Sequence, residues 1–366
     1  MTIRERILSV YHNQIPDKIP FGIYNRYHRV GYSERLARES GLGILDFYPV
    51  VSLLSPPWHV QPAYMSEVKN SSFNISFSWV AGKVIENRTI ETPVGKLTQQ
   101  IVKDPSYGSD WVEKPYIKSL EDYKIMQYIT ENTIFTDHEK AIKQRIKDLG
   151  PDGVVLGRID RSPYQKLLIE LVNPEEFIVD LYTNPGPLEE LMETIAFRLD
   201  EQLEMALNSC IDVIWQPDNV TSDMAPPEIF LKYCQPVYTK NGNKCKQSGK
   251  VYSVHMDGKT KALSAHINES PIDVIESFSM PMMGGDISIE EALNFWPEKV
   301  ICPNFPASLC IADEKEIVDY IGNMFTSFNK RPFMIQLSED FNIDKYDYVL
   351  DILSRINFHE FENSQV

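Results

Sequence analysis

Lys250-Val251-Tyr252-Ser253-Val254-His255-Met256-Asp257-Gly258 reads as a strand that ends in a small cluster of reactive side chains. In an extended chain alternate residues share a face, so Val251, Ser253, His255 and Asp257 fall on one side, and Tyr252, Val254 and Met256 on the other. The first face is polar at its end and the second is apolar throughout. An imidazole and a carboxylate two residues apart on one face make up that cluster. A core histidine bonded to its neighbour is the other reading of the same residues. Gly258 breaks the strand and Lys259-Thr260-Lys261-Ala262-Leu263 can open a helix. His255 and Asp257 therefore stand at the carboxyl end of a strand, where α/β proteins keep their sites.

Other reactive residues fall on predicted strand ends too: Tyr24 and Arg26, Arg158 and Asp160, Asp218 and Asn219, Asp286, Asn304 and Glu339. Tyr24-Asn25-Arg26-Tyr27-His28-Arg29 can hold an anionic or aromatic ligand, or form a solvated basic turn. Asp160 with Arg161 also reads as an ion pair, Asp218-Asn219 as a turn, and Glu339-Asp340 as a helix cap. Parallel strands send all these ends to one rim, and that convergence is the functional signal.

The elements that must position them are regular after Gly150-Pro151-Asp152-Gly153. Strands are predicted over 154–158, 211–215, 250–257, 272–276, 300–304 and 333–337. Helices are predicted over 174–182, 187–208, 226–238, 288–296, 313–328 and 344–356. With a first strand at 21–24 the units repeat about eight times, and their connections are too long for hairpins, so the sheet is parallel. The expected fold is α/β, a (β/α)8 barrel. The whole chain, 1–366, reads as one barrel domain, with 60–150 as an N-terminal cap or insertion. Within that segment, β-branched and aromatic residues over 73–103, with turn signals at Gly82-Lys83 and Pro93-Val94-Gly95-Lys96, predict antiparallel hairpins. No GxGxxG or GxxxxGK[ST] follows any strand, which disfavours a nucleotide-binding sheet.

Composition narrows the partners. Thirty-six basic and fifty-two acidic residues give a net charge of −16, which disfavours nucleic acid and anionic membranes as the main partners. The start, Met1-Thr2-Ile3-Arg4-Glu5-Arg6, lacks the apolar stretch of a signal peptide, and no apolar run reaches membrane-spanning length, so a cytoplasmic location is expected. Five scattered cysteines with no CxxC pair signal neither a disulfide framework nor a zinc knuckle.

Seven stretches, in order, resemble the uroporphyrinogen decarboxylase superfamily: PDKIPFGIYNR, IKSLEDYK, NPEEFIVDL, WQPDNVTSDMAPPEIF, VHMDG, DISIEEAL and FMIQLSED. That family is a (β/α)8 barrel with two main activities. One branch decarboxylates the acetate arms of uroporphyrinogen without a cofactor. The other consists of zinc-dependent methyltransferases that pass a methyl group between a small substrate and a corrinoid protein. The decarboxylases share an Arg-Gln-Ala-Gly-Arg-Tyr element, and here that place reads Tyr24-Asn25-Arg26-Tyr27-His28-Arg29. The coenzyme M methyltransferases bind zinc through His-x-Cys and a later Cys. Here the pair reads His255-Met256-Asp257, and Glu339 stands about where the late Cys belongs.

The resemblance therefore implies a zinc site at His255 and Glu339 made harder by carboxylates, which suits an oxygen-linked methyl donor better than a thiol. It implies Asp218 and Asp257 as the catalytic acids that orient the leaving oxygen or its proton. Tyr24, Arg26, Asn219 and Asn304 are the substrate-binding residues. The aromatics Trp58, Tyr64, Trp79, Tyr107 and Trp111 can enclose the donor or pack the cap. The expected partners are a small methylated substrate and a corrinoid protein, with a homodimer allowed. A decarboxylase and a non-catalytic small-molecule-binding barrel are the alternatives.

Overall fold

Short runs rich in Val, Ile and Leu become eight parallel strands: β1 (Phe21–Tyr24), β2 (Leu42–Pro49), β3 (Gly153–Arg158), β4 (Val213–Gln216), β5 (Val251–His255), β6 (Val274–Phe278), β7 (Val300–Pro303) and β8 (Ile335–Leu337). The structure, a computed structural model, describes residues 1–25, 31–53, 66–103, 110–339 and 343–356. The strands follow chain order from β1 to β7, β8 pairs with β1, and a parallel bridge from Asn304 to Gln336 joins β7 to β8. The protein is a (β/α)8 barrel.

The period of two decides what lies inside. On β5, Val251 points into a barrel core shared with Leu45, Leu156, Trp215 and Cys302, whereas Tyr252 and Val254 join the larger core between sheet and helices. The amino end is closed by the helix Ile3–Tyr11, opened by a Thr2–Glu5 capping box, which lays Ile7, Val10 and Tyr11 across the floor. Gly43 permits that seat: a Cβ there would stand 2.4 Å from Ile7 and 2.6 Å from Ile3. With the floor sealed, only the carboxyl ends of the strands are left to form a mouth.

Leu42–Pro49 is a barrel strand that the sequence pattern did not pick out. It carries an acid, Asp46, and ends in proline, yet every position except Phe47 is buried. Asp46 is tied by Arg145 at 2.6 Å and Asn25 at 2.8 Å, which explains how it survives there.

Between β2 and β3 stands a sheet of four antiparallel strands, Ser72–Val80, Lys83–Thr92, Gly95–Lys103 and Trp111–Lys114, followed by the helices Leu120–Glu131 and Glu139–Leu149, with a short antiparallel pair, Glu67–Val68 and Thr133–Ile134, in the same segment. The hairpins expected over 73–103 are thus present. Ile90, Leu97 and Ile101 are buried on one face, together with the Arg88–Glu86 pair at 2.6 Å. The edge strand Ser72–Val80 alternates Ser and Asn with Phe73, Ile75, Phe77 and Trp79 and contains neither charge nor proline. Phe77 is 63% and Trp79 76% exposed. Such an edge templates self-association. Phe77→Lys is expected to lower concentration-dependent light scattering of the purified protein without changing its circular dichroism, and equal scattering would acquit the strand.

Among the described residues, no helix is long and apolar enough to cross a membrane.

Candidate active site at the barrel mouth

His255 closes β5, and its Cα partner on β6 is Glu276, so both side chains leave the sheet on the same inner face. Glu276 is fully buried and three donors converge on its carboxylate. His255 Nδ1 lies 2.6 Å from Oε2, Trp215 Nε1 donates to the same oxygen at 2.9 Å, and the Tyr24 hydroxyl donates to Oε1. The Tyr24 hydroxyl also stands 3.4 Å from His255 Nδ1. Phe47 packs between Tyr24 and Trp215, with ring centroids 4.4 and 4.3 Å away, and fixes both donors. A β-bulge after Ile275, with Ser277 in the left-handed region at φ 60, separates inward Glu276 from outward Phe278.

The second ring nitrogen faces the mouth. His255 Nε2 lies 3.3 Å from Asp257 Oδ2, and Asn219 Nδ2 donates to the same oxygen at 3.0 Å. Burial alone would lower the His255 pKa, but the charges of Asp257 and Glu276 and hydrogen bonds to both overcome it and raise it to about 10. Burial pushes Asp257 up in turn, and the histidine beside it more than compensates, holding its carboxyl below the usual range. In metal-free protein the site is therefore an imidazolium between two carboxylates. The sign for stability follows: the contribution is complete below the ordinary histidine value of 6.5 and is lost as pH rises through about 10. Urea unfolding of metal-free protein is expected to show His255→Gln less stable than wild type at neutral pH, with the gap closing above about pH 10. A gap that does not depend on pH would refute the imidazolium.

The sequence-predicted residues sort into three groups. His255, Asp257, Asn219 and Tyr24 form one cluster. The Tyr24 hydroxyl donates to Glu276 and so positions an acid. Asn219 is likewise committed, between Arg161 and Asp257. Asn304 and Glu339 form a second cluster: Asn304 Nδ2 donates to Glu339 Oε1 at 3.2 Å and to Ser277 Oγ at 2.6 Å, while Gln336 Oε1 accepts from the Ser277 amide at 2.9 Å. Alternation places Phe333, Ile335 and Leu337 toward the helices. Because β8 ends at Leu337, Glu339 is released from that parity and reaches Asn304.

Asp218 belongs to neither cluster. It is fully buried, Oδ1 accepts from the Ser162 amide and Oδ2 from the Tyr238 hydroxyl, both at 2.8 Å, and burial raises its pKa. It ties β4 to the helical layer, with both carboxylate oxygens bonded inside the protein. Asp286 accepts from the amides of Thr260 and Lys261 and caps a turn. Trp79 and Trp111 stand 76% and 73% exposed on the antiparallel sheet, so these two do not enclose a donor. Arg26, Trp58, Tyr64 and Tyr107 lie outside the described residues.

Sequence reasoning missed Glu276, Trp215, Arg161 and Gln336. A signal for Glu276 was present: an acid in the apolar run Val274-Ile275-Glu276, one strand after His255.

The 3.3 Å between His255 Nε2 and Asp257 is close to the edge of a tetrahedron around zinc with bonds of about 2.0 Å. A carboxylate on the other ring nitrogen is the usual companion of a metal-bound histidine. Two ligands fit. Among the described residues, no group of three or more His, Cys, Asp or Glu side chains is placed to hold a metal.

Residues 107–340 match the family described as uroporphyrinogen decarboxylase (URO-D). No curated protein matches the chain by sequence. Among solved structures the chain is similar to a methyltransferase from Methanosarcina mazei, with a TM-score of 0.56 and 12% identity over 100% of this chain and 99% of that one. The tandem catalytic modules of a pneumococcal exo-β-D-N-acetylglucosaminidase give a TM-score of 0.40 at 9% identity, over 94% of this chain and 85% of that one, too low to carry an argument.

Proposed function

Because the chain belongs to the uroporphyrinogen decarboxylase family, we propose that it is a methyltransferase, moving a methyl group from a small oxygen-linked donor to a corrinoid carried by a separate protein. The observation that carries this reading is the pair His255 and Asp257 at the mouth, with Glu276 behind the ring. The methyltransferase whose fold runs the length of the chain supports it.

His255 Nε2 and Asp257 would hold a zinc ion, and Glu339 is the residue proposed to complete the set. When bound, zinc supplies Lewis acidity to the donor oxygen. The chain's own residues do the rest. Glu276 keeps Nδ1 engaged, so that Nε2 is the nitrogen turned to the mouth. Asp257, held ionised, accepts a hydrogen bond from a hydroxyl or from the leaving oxygen once it is protonated. Asn304, fixed by Ser277 and Glu339, borders the mouth on the other side.

Electrostatics disfavour the decarboxylase alternative. Uroporphyrinogen is a polycarboxylate, and this mouth carries Asp257 and Glu339, with Glu276 buried behind them, on a chain of net charge −16. The test mixes the protein with cob(I)alamin and, in turn, methoxylated aromatics, methanol and methylamines, and follows the cobalt spectrum. Methylation from an oxygen-linked donor and no carbon dioxide from uroporphyrinogen are expected. Silence with every donor, or decarboxylation, would remove the proposal.

A further inference from the structure

Asp257 is one of the site's two mouth-facing groups, yet it sits two residues past the end of β5, in the loop and not in the sheet. What aims it comes from β3 and β4. Asn219, three residues past β4, donates Nδ2 to Asp257 Oδ2 at 3.0 Å and accepts on Oδ1 from Arg161 Nη1 at 2.8 Å. The orientation of this amide is fixed by chemistry, because a guanidinium only donates and a carboxylate only accepts. Asn219 holds a left-handed φ of 22, a region asparagine tolerates better than most residues.

Arg161 is itself immobilised. Its Nε donates to Glu170 at 2.9 Å, and its side chain is 6% exposed. Lys166, fully buried, pairs with Glu170 and lies 2.9 Å from Asp160 Oδ1, which also accepts from the Arg161 amide at 3.0 Å. A π-helical turn, Leu167–Leu171, carries Glu170 beneath the guanidinium. Burial pushes Glu170 up, and the charges of Lys166 and Arg161 prevail to hold it below its ordinary value. Two acids and two bases are thus locked below the rim, and removing any one would leave a buried charge unmatched.

We infer that Arg161 and Asn219 are positioning residues: the buried charge unit in the loop and helical turns that follow β3 reaches through the Asn219 amide to fix the Asp257 carboxylate against His255. Neither touches the donor. This reading assigns Asn219 away from substrate binding and rests on the zinc site proposed above.

The test has two readouts. Zinc titration against a chromophoric chelator is expected to show Asn219→Ala binding about 10- to 100-fold more weakly than wild type. Arg161→Lys is expected to weaken binding in the same direction, and added to Asn219→Ala it should change affinity by less than about twofold, since both act through one amide. The second readout is the Trp215 indole N–H in metal-free protein, assigned with Trp215→Phe. That proton sits at the far end of the path Asn219, Asp257, His255, Glu276, and Asn219→Ala is expected to shift its NMR signal. Zinc affinity in Asn219→Ala within about twofold of wild type, or an unmoved indole signal, overturns the relay. A wild-type chain that takes up no zinc sinks the metal reading instead, and the indole signal alone then decides the relay.

Discussion

Glu276→Leu is expected to lose roughly 3–5 kcal/mol of folding stability, a large share of what a domain has in reserve. The carboxylate is fully buried and accepts from the Trp215 indole, the Tyr24 hydroxyl and His255 Nδ1. Leucine has about the right volume, so cavity formation contributes little. What remains is a buried imidazole without its inner carboxylate and two donors with nowhere to bond, and such orphaned groups cost about 1–3 kcal/mol each. Glu276→Gln should fall between, because one amide oxygen can still accept while the amide nitrogen meets another donor. The double change Glu276→Leu, His255→Leu should recover part of the loss, since removing both partners is cheaper than removing one. Urea denaturation of the three variants checks the order. If Glu276→Leu is as stable as wild type, Glu276 is not the anchor of the site.

The barrel was legible because its strands are buried on both faces, so that Val-, Ile- and Leu-rich runs separated by helical spacing survive as a visible pattern. Leu42–Pro49 escaped because Asp46 and Pro49 interrupt that pattern, and its compensation lies in Arg145, almost a hundred residues away. The site was legible where its chemistry is local. His255 and Asp257 lie two residues apart, so their closeness could be read from the sequence; Glu276 is brought to His255 by strand pairing, which no local spacing reveals. The same limit explains Asp218. An acid at a strand end looks available from sequence, and only the tertiary contacts of Ser162 and Tyr238 show both its oxygens taken. For Tyr24 the position at a strand end was readable, and the partner of its hydroxyl was not.

His255→Ala is expected to abolish stoichiometric zinc and slow methyl transfer by roughly a thousandfold or more, the size of losing several kcal/mol of Lewis-acid stabilisation. The histidine supplies the one nitrogen of the pair that faces the mouth, and a lone carboxylate at Asp257 binds zinc weakly. Elemental analysis gives a readout independent of turnover, and His255→Gln, with similar volume, guards against a merely unfolded variant. Glu339→Ala separates the proposed third ligand from the pair. Glu339 is bonded to Asn304, so its removal should weaken metal retention less than loss of His255. If zinc remains stoichiometric in the His255→Ala, Glu339→Ala double variant, the metal is bound elsewhere and the proposed site is wrong. If the metal is lost while methyl transfer continues at the wild-type rate, the chemistry belongs to the protein groups alone. Asp257, ionised beside the mouth and aimed by Asn219, is then the residue on which that chemistry must turn.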